Sequence, residues 1–206
     1  MTWSLSEIDS LCRKAARGAG FSCGMAEEAG RAARWLASVS LPGPERLAAL
    51  LAAGPHAPLQ MTPHAWQAAS GPLCPLAAGT ALCDRAQAIA AGGKVTLHAV
   101  TAPELLIPFV AGICADTGTQ MTLAWPGNRF TFAADIRGAW TATDDAPDVT
   151  VSPGAISDLA PLACQLRYDM TAQAASALNA LAHHTYAPET EERRLAGAGA
   201  GLSDND

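Results

Sequence analysis

The stretch KVTLHAVTAPELLIPFVAGICADTGTQMTLAW, residues 94–125, decides the fold of this 206-residue chain. Residues 94–100 alternate between apolar and polar side chains and predict a β-strand, and residues 121–125 do the same. Residues 102–116 lie between them and predict a helix that ends at Gly118. A strand, a helix and a strand in succession predict a right-handed crossover and a sheet with at least one parallel pair.

Downstream of this stretch the sequence predicts a hairpin, a further strand and a closing helix. Pro126 and Gly127 suit the two central positions of a type II turn, so residues 119–135 predict a hairpin. Residues 148–151 predict a short strand. A helix from about Asp169 to His184, with Asp169 as its N-cap, is expected to close the folded part.

Upstream of it the sequence predicts three short helices. The first begins at the capping-box pair Ser4 and Glu7, the second covers about residues 24–38, and the third begins at Pro44. Five prolines within residues 54–78 favour irregular structure there, and a helix is expected over about residues 81–91.

Together these elements predict an α/β or α+β fold in three parts. Residues 1–55 form a helical N-terminal segment, and residues 72–184 form a mixed α/β domain around a small mixed sheet. Residues 185–206 form an extended, glycine-rich tail. The proline-rich segment is the expected boundary between the first two parts.

The charge balance bears on the class of partner. The chain has 13 Lys and Arg residues against 19 Asp and Glu residues, a net charge of -6, and no run of basic residues. This argues against binding to nucleic acid or to anionic membranes. Neither a signal peptide nor an apolar run long enough to span a bilayer is visible, so we expect a cytoplasmic protein.

The cysteines are expected to be reduced and structural. The chain has six, with no CxxC pair and no doublet of the kind that binds metals. Most lie beside Ala, Leu or Ile, where a free cysteine behaves as a small apolar side chain.

The segment TYAPETEERRLAGAGAGLSDND, residues 185–206, differs from the rest of the chain. It is too polar and too rich in glycine to bury the apolar surface that would offset the entropy of ordering it. Either it is disordered or something outside it holds it. In the second case we expect it to bind a partner, because glycines permit close backbone approach and aspartates offer polar contacts. The partner-binding candidates are Gly197, Gly199, Gly201, Asp204 and Asp206.

The end of the closing helix is the one place where the sequence gathers chemically active side chains. His183, His184 and Tyr186 are the candidate catalytic residues, with Glu189 and Arg193 as candidate contacts to a ligand. Adjacent histidines point to different faces of a helix, so they are not expected to bind one metal ion together. No phosphate loop, dinucleotide fingerprint, HExxH helix or nucleophile elbow is present in the sequence. We therefore expect no cofactor and no metal.

Three parts of the chain resemble a known family. They are SLSEIDSLCRKAARGAG at residues 4–20, AEEAGRAARWL at residues 26–36, and the ending that contains TYAPETEERR, GAGAG and SDND. Together they are similar to a group of bacterial, mostly proteobacterial, proteins classed as a domain of unknown function. The resemblance implies a stand-alone cytoplasmic domain, would extend over nearly the whole chain, and implies no activity.

The order of elements also resembles the malate/L-lactate (sulfolactate) dehydrogenase family, which uses NAD(P). That family has a Ser-His-Gly motif where this chain has Ser40-Leu41-Pro42-Gly43, and an Asn-His-Phe-Gly motif where it has Thr101-Ala102-Pro103-Glu104. Both histidines that would contact a 2-oxo or 2-hydroxy acid are absent. The resemblance therefore implies a relative that has lost this site and this reaction.

Two functional hypotheses follow. The first is an accessory, non-catalytic protein of bacterial metabolism that forms a homo-oligomer, or binds a protein partner, through its C-terminal tail. The second is an enzyme that acts on a small polar metabolite, with His183 or His184 as the acid–base group. The second hypothesis requires a small-molecule ligand. A third reading, a purely structural subunit with no ligand at all, is not separated from the first by the sequence.

Overall fold

The computed structural model of the chain describes residues 2–142 and 146–186. Within those residues there are seven α-helices, one 3-10 helix at Pro103–Leu106, and nine strands. The helices are α1 (Leu5–Gly18), α2 (Cys23–Ser38), α3 (Gly43–Ala52), α4 (Pro75–Asp84), α5 (Ala86–Ala90), α6 (Ile107–Thr117) and α7 (Ala172–His183). The strands are β1 (Thr2–Ser4), β2 (Leu59–Met61), β3 (Ala65–Ala68), β4 (Val95–Leu97), β5 (Met121–Trp125), β6 (Asn128–Phe132), β7 (Ile136–Ala139), β8 (Val149–Pro153) and β9 (Arg167–Asp169).

Seven of the strands form one mixed sheet in the order β2-β3-β4-β8-β5-β6-β7, and β1 pairs with β9 in a small antiparallel sheet. Within the large sheet, β3 and β4 are parallel, and the other neighbours are antiparallel. The sheet thus contains one parallel pair, as expected of a mixed sheet, but the pair is β3 with β4 and not the two strands on either side of α6. The fold is α+β. Strands β4 and β5, on either side of α6, run in the same direction but are separated by β8.

One face of this sheet carries the core. Val95, Val151 and Leu123 lie in register across β4, β8 and β5, and all three are buried. Their neighbours on the opposite face are Thr96, Thr150 and Ala124, which are partly exposed. This alternation follows from the two-residue period of a strand and fixes which face packs against the helices.

The predicted N-terminal helices and the predicted hairpin are confirmed. Ser4 caps α1 in a capping box with Glu7, and α2 and α3 have nearly the expected bounds. The hairpin joins β5 to β6 through Pro126 and Gly127, and Gly127 has a φ of 75°. A residue with that φ is usually glycine, as the second central position of a type II turn requires.

The expectation of irregular structure over residues 54–78 is wrong. This segment contains β2, β3 and the start of α4. Pro58 and Pro63 flank the two strands, and Pro75 opens α4, so these prolines do not remove a hydrogen bond from the interior of any element. The large sheet accordingly begins at Leu59, before the expected start of the α/β part at residue 72.

Two predicted helices have different bounds in the structure. The closing helix begins at Ala172 and is capped by Thr171, because Asp169 belongs to β9. The helix expected over residues 81–91 is divided into α4 and α5 at Arg85. None of the described helices has the length and apolarity needed to cross a membrane.

Helix α7 packs against α1, and α3 is tied to the segment before α7. The carboxylate of Glu45 on α3 accepts a hydrogen bond from the Tyr168 hydroxyl at 3.0 Å and another from the backbone N–H of Thr171 at 2.9 Å. The side chains buried on α1, α2 and α3 form one continuous core with those of the sheet. The end of α7 is therefore held in a fixed position on the surface of this core.

Candidate functional site

The structure places His183, His184 and Tyr186 on the surface at the end of α7, beside the last turns of α1. Nδ1 of His184 lies 3.2 Å from the carbonyl oxygen of Gly18. The ring of His183 meets the Tyr186 ring edge-on, with 5.2 Å between centroids. The two histidines thus contact different neighbours, as adjacent positions on a helix require. Both side chains are exposed.

Tyr186 also lies against a basic part of α1. The ammonium group of Lys14 is 5.7 Å from the centre of its ring, within range of a cation–π contact. The other predicted residues of this region lie outside the described part of the chain. They are Glu189, Arg193, Gly197, Gly199, Gly201, Asp204 and Asp206.

Arg13, Lys14 and Arg17 form what we call the cationic patch. All three lie in the last turns of α1 and are exposed. Among the described residues, none of them forms an ion pair with a carboxylate. Cations at a helix C-terminus complement the helix dipole, so the patch is compatible with a stable α1 while its charge stays available to a partner.

Two adjoining clefts share His56 as a wall. The larger, which we call the apolar cleft, has a volume of about 340 Å³ and is lined mainly by apolar side chains, among them Phe21, Met25 and Leu59. The smaller, which we call the polar cleft, has a volume of about 280 Å³ and includes Ser70 and Thr101. Nε2 of His56 is buried and has no hydrogen-bond partner among the described residues.

His98 and Asp148 form a pair at the end of the sheet. Nδ1 of His98 lies 2.9 Å from Oδ2 of Asp148, whose Oδ1 accepts the backbone N–H of Ala99 at 3.0 Å. The Ala99 hydrogen bond, followed by the His98 hydrogen bond, lowers the pKa of Asp148 below its ordinary value. Ala99 has a φ of 51°, in the left-handed region that a non-glycine residue rarely adopts. The hydrogen bond from the Ala99 N–H to Asp148 therefore stabilises this strained conformation of Ala99.

Glu104 is a fully buried carboxylate between the N-terminal helices and the sheet. Its Oε1 accepts a hydrogen bond from Nε1 of Trp140 at 2.9 Å and lies 3.3 Å from Nε of Arg46. The guanidinium of Arg46 also lies over the Trp140 ring, 5.7 Å from its centre. Within the described part of the chain, Oε2 of Glu104 has no hydrogen-bond partner. The arrangement joins α3, the 3-10 helix and the end of β7 through one ion pair.

The cysteines are all unpaired in the structure. Burial raises the pKa of the Cys74 thiol, and burial with the nearby charge of Glu28 raises that of Cys83 to about 11. Such thiols are poor nucleophiles near neutral pH. Among the described residues, no group of three or more His, Cys, Asp and Glu side chains is placed to hold a metal ion.

Sequence reasoning missed His56 and Glu104. His56 lies in the proline-rich segment expected to be irregular, and its surroundings depend on the packing of α1, α2 and α4 around that segment. Glu104 left a signal in the sequence, because it is the one carboxylate within the apolar run from Ala102 to Ala115. A charge at such a position is costly to bury and needs a partner.

Comparison with known proteins finds a family match over part of the chain, and this match carries no activity. The family model described as a protein of unknown function (DUF3726) matches residues 3–86. This confirms the resemblance to a family of unknown function over those residues, a shorter part of the chain than the resemblance implied. No curated protein matches the chain. Bacterial origin and the resemblance to dehydrogenases stay predictions.

Proposed function

We propose that the chain is a non-catalytic, accessory protein of metabolism in the bacterial cytoplasm, and that it assembles with a second copy of itself through its C-terminal tail. The observation that carries the proposal is the position of the cationic patch. It lies beside Tyr186, from which the chain continues into a segment with carboxylates at Glu189, Glu191 and Glu192. Opposite charges thus lie on two parts of the same chain.

The length of the segment after Tyr186 is sufficient for this pairing, either within one chain or with a second copy. Glu192 is six positions beyond Tyr186, which corresponds to about 20 Å of fully extended chain. In a two-fold dimer, the tail of each copy would lie on the cationic patch of the other, so both contacts form or neither does. Because the dimer is symmetric, this tail-to-patch contact occurs twice, once in each direction.

Charge pairing alone does not supply the affinity. An exposed ion pair contributes about 0.2–1 kcal/mol, whereas micromolar affinity needs about 8 kcal/mol. The rest must come from contacts by the tail beyond its carboxylates. The exposed ring of Tyr186 offers apolar area, and the glycines at 197, 199 and 201 permit backbone hydrogen bonding at close range.

The alternative is an enzyme with an acid–base histidine at the end of α7. His183 and His184 are exposed and do not line the apolar or the polar cleft. A general acid or base that acts on a small metabolite usually lies in a concave, partly desolvated site. The geometry of the described residues therefore favours assembly over this alternative.

The test is a charge reversal in the cationic patch. We expect Lys14→Glu to lower the fraction of dimer in the full-length protein, and raising the salt from about 50 mM to about 500 mM to have the same effect. Arg34→Glu is the matched control, because Arg34 is also exposed but lies on α2 outside the patch. Light scattering after size-exclusion chromatography gives the mass. A dimer that resists both Lys14→Glu and salt would contradict the proposal.

A further inference from the structure

We propose that the apolar cleft binds the part of the C-terminal tail that begins at Leu195, and that the side chain of Leu195 inserts into the cleft. The inference rests on the proposed function for the source of this tail, which is a second copy of the chain. It supplies the apolar contact that the assembly needs, because exposed charge pairs contribute little affinity on their own.

The first argument is the apolar surface that the cleft leaves exposed. Phe21, Met25, Leu59 and Ala77 line the cleft, and each packs against the core while part of it stays accessible to water. Covering such a surface with another apolar side chain is stabilising. The volume of about 340 Å³ has room for a leucine side chain and its small neighbours. Because the cleft is open to solvent, a bound segment can keep its backbone hydrated while it inserts one side chain.

The second argument is a positive charge at the rim of the cleft. The guanidinium of Arg17, which belongs to the cationic patch, donates a hydrogen bond to the carbonyl oxygen of Phe21. Phe21 lines the cleft, so the cationic patch and the apolar cleft adjoin each other. A segment that is complementary to this surface has carboxylates followed by an apolar side chain.

The tail has these features in the matching order. Leu195 is its first branched aliphatic side chain, and it follows the carboxylates of Glu189, Glu191 and Glu192. The six residues after Leu195 are only alanine and glycine, so their backbone can approach the walls of the cleft closely. The two arginines just before Leu195 are not complementary to the patch, and in this arrangement their side chains extend into solvent.

The tail also begins close to the cleft. Nδ1 of His184 lies 3.2 Å from the carbonyl oxygen of Gly18, and the next residue, Ala19, lines the cleft. Leu195 is nine positions beyond Tyr186, which corresponds to about 30 Å of fully extended chain. The segment is therefore long enough to span from the end of α7 to the cleft, and the test must distinguish a contact within one chain from a contact between two.

Photo-cross-linking of the full-length protein identifies what occupies the cleft. Isotopically light and heavy copies of Phe21→benzoylphenylalanine are mixed and irradiated, and the linked peptides are identified by mass spectrometry. We expect the main product to join position 21 of one copy to the peptide that contains Leu195 of the other. Leu166→benzoylphenylalanine is the control and should give little of this product, because Leu166 is exposed and does not line the cleft. Leu59→benzoylphenylalanine labels another wall and replaces the first variant if that variant does not fold.

The outcomes separate this proposal from the proposed assembly. A dimer without a link from the cleft to residues 195–202 would overturn binding of the tail in the cleft and leave the assembly standing. A link within single chains, without a dimer, would support binding in the cleft and overturn the assembly. A monomer without such a link would overturn both.

Two substitutions test the named side chain. Positions 195 and 202 both lie beyond the described residues, so neither substitution removes a contact of the described fold. Leu195→Ala should raise the dissociation constant of the dimer at least about tenfold, because each dimer loses two leucine contacts, and the yield of the link from position 21 should fall with it. Leu202→Ala makes the same chemical change in the same tail and should alter the constant less than about twofold. Equal effects, or no effect of Leu195→Ala, would overturn the assignment of the cleft to Leu195.

Discussion

The carbonyl oxygen of Gly18 lies 3.2 Å from Nδ1 of His184, and this contact joins the last turn of α1 to the last turn of α7. Because a carbonyl oxygen only accepts, Nδ1 of His184 carries the proton of the hydrogen bond. The Nε2 atom is then left to solvent or to a partner. The contact fixes the position of the last described turn of the chain against α1.

Gly18 permits the close approach of the two helices. A Cβ at this position would overlap the carbonyl oxygen of Leu181 on α7. We expect Gly18→Ala to lower the free energy of unfolding by about 1–3 kcal/mol, because backbone atoms cannot move aside cheaply. Gly24→Ala on α2 is the control: a Cβ there meets nothing within 4 Å, so the change should be neutral or stabilising. Urea denaturation measures both, and equal effects would contradict the packing described here.

Among the ion pairs of the described residues, we expect that the loss of the pair between Arg46 and Glu104 lowers the free energy of unfolding most. Arg46→Met leaves the Glu104 carboxylate buried with Trp140 as its remaining partner. We expect a loss of about 3 kcal/mol or more in the free energy of unfolding, because a buried charge without its counter-ion is strongly unfavourable. Arg31→Met, which removes an exposed pair with Glu28, should cost less than about 1 kcal/mol. Similar losses of stability in the two variants would contradict a buried ion pair between Glu104 and Arg46.

Asp148 should contribute a pH-dependent term to stability. Its pKa in the folded chain lies below the ordinary value, so its contribution is complete above the unfolded pKa and is lost as the pH falls through the folded pKa. We expect Asp148→Asn to lower stability near neutral pH by less than about 1 kcal/mol, since the side chain is mostly exposed. The difference from wild type should shrink between about pH 5 and about pH 2, as measured by denaturation at each pH. A stability difference between wild type and Asp148→Asn that grows as the pH falls would contradict a lowered pKa of Asp148 in the folded chain.

The cysteines should react with iodoacetamide in an order set by burial. Cys23 and Cys164 are exposed and should be alkylated first. Cys83 is exposed as well, but the raised pKa of its thiol should make it react more slowly than these two. Cys12 is fully buried, and burial raises the pKa of its thiol, so it should react only after unfolding. Mass spectrometry of peptides over a time course gives the order, and denatured protein serves as the control in which all six react. Early modification of Cys12 in folded protein would contradict the core described above.

The sequence predicts the elements that are long or that have a distinctive local sequence pattern. The capping box at Ser4, the turn at Gly127 and the alternation of β5 are local patterns, and each is confirmed. Strands β2 and β3 have three and four residues, which is too short for alternation to distinguish them from a loop. The position of β8 between β4 and β5 depends on contacts between residues that are far apart in sequence, so no local pattern predicts it.

The contacts of the candidate sites are long-range as well. Glu104 and Trp140 are 36 residues apart in sequence, and His184 and Gly18 are 166 apart. Periodicity places each residue on an element but does not say which elements meet. The burial of His56 could not be predicted for a different reason. A histidine among prolines is typical of an exposed, irregular segment, and its burial depends on helices that are distant in sequence.

The most direct test of the central claim is native mass spectrometry of the full-length chain beside a chain that ends at Tyr186. Removal of residues 187–206 leaves α7 and its contact with Gly18 in place, so the folded part should survive. We predict a dimer for the full-length chain and a monomer for the shortened one, with the shortened chain still folded and melting in one cooperative transition. A dimer in both, or a monomer in both, would contradict assembly through the C-terminal tail.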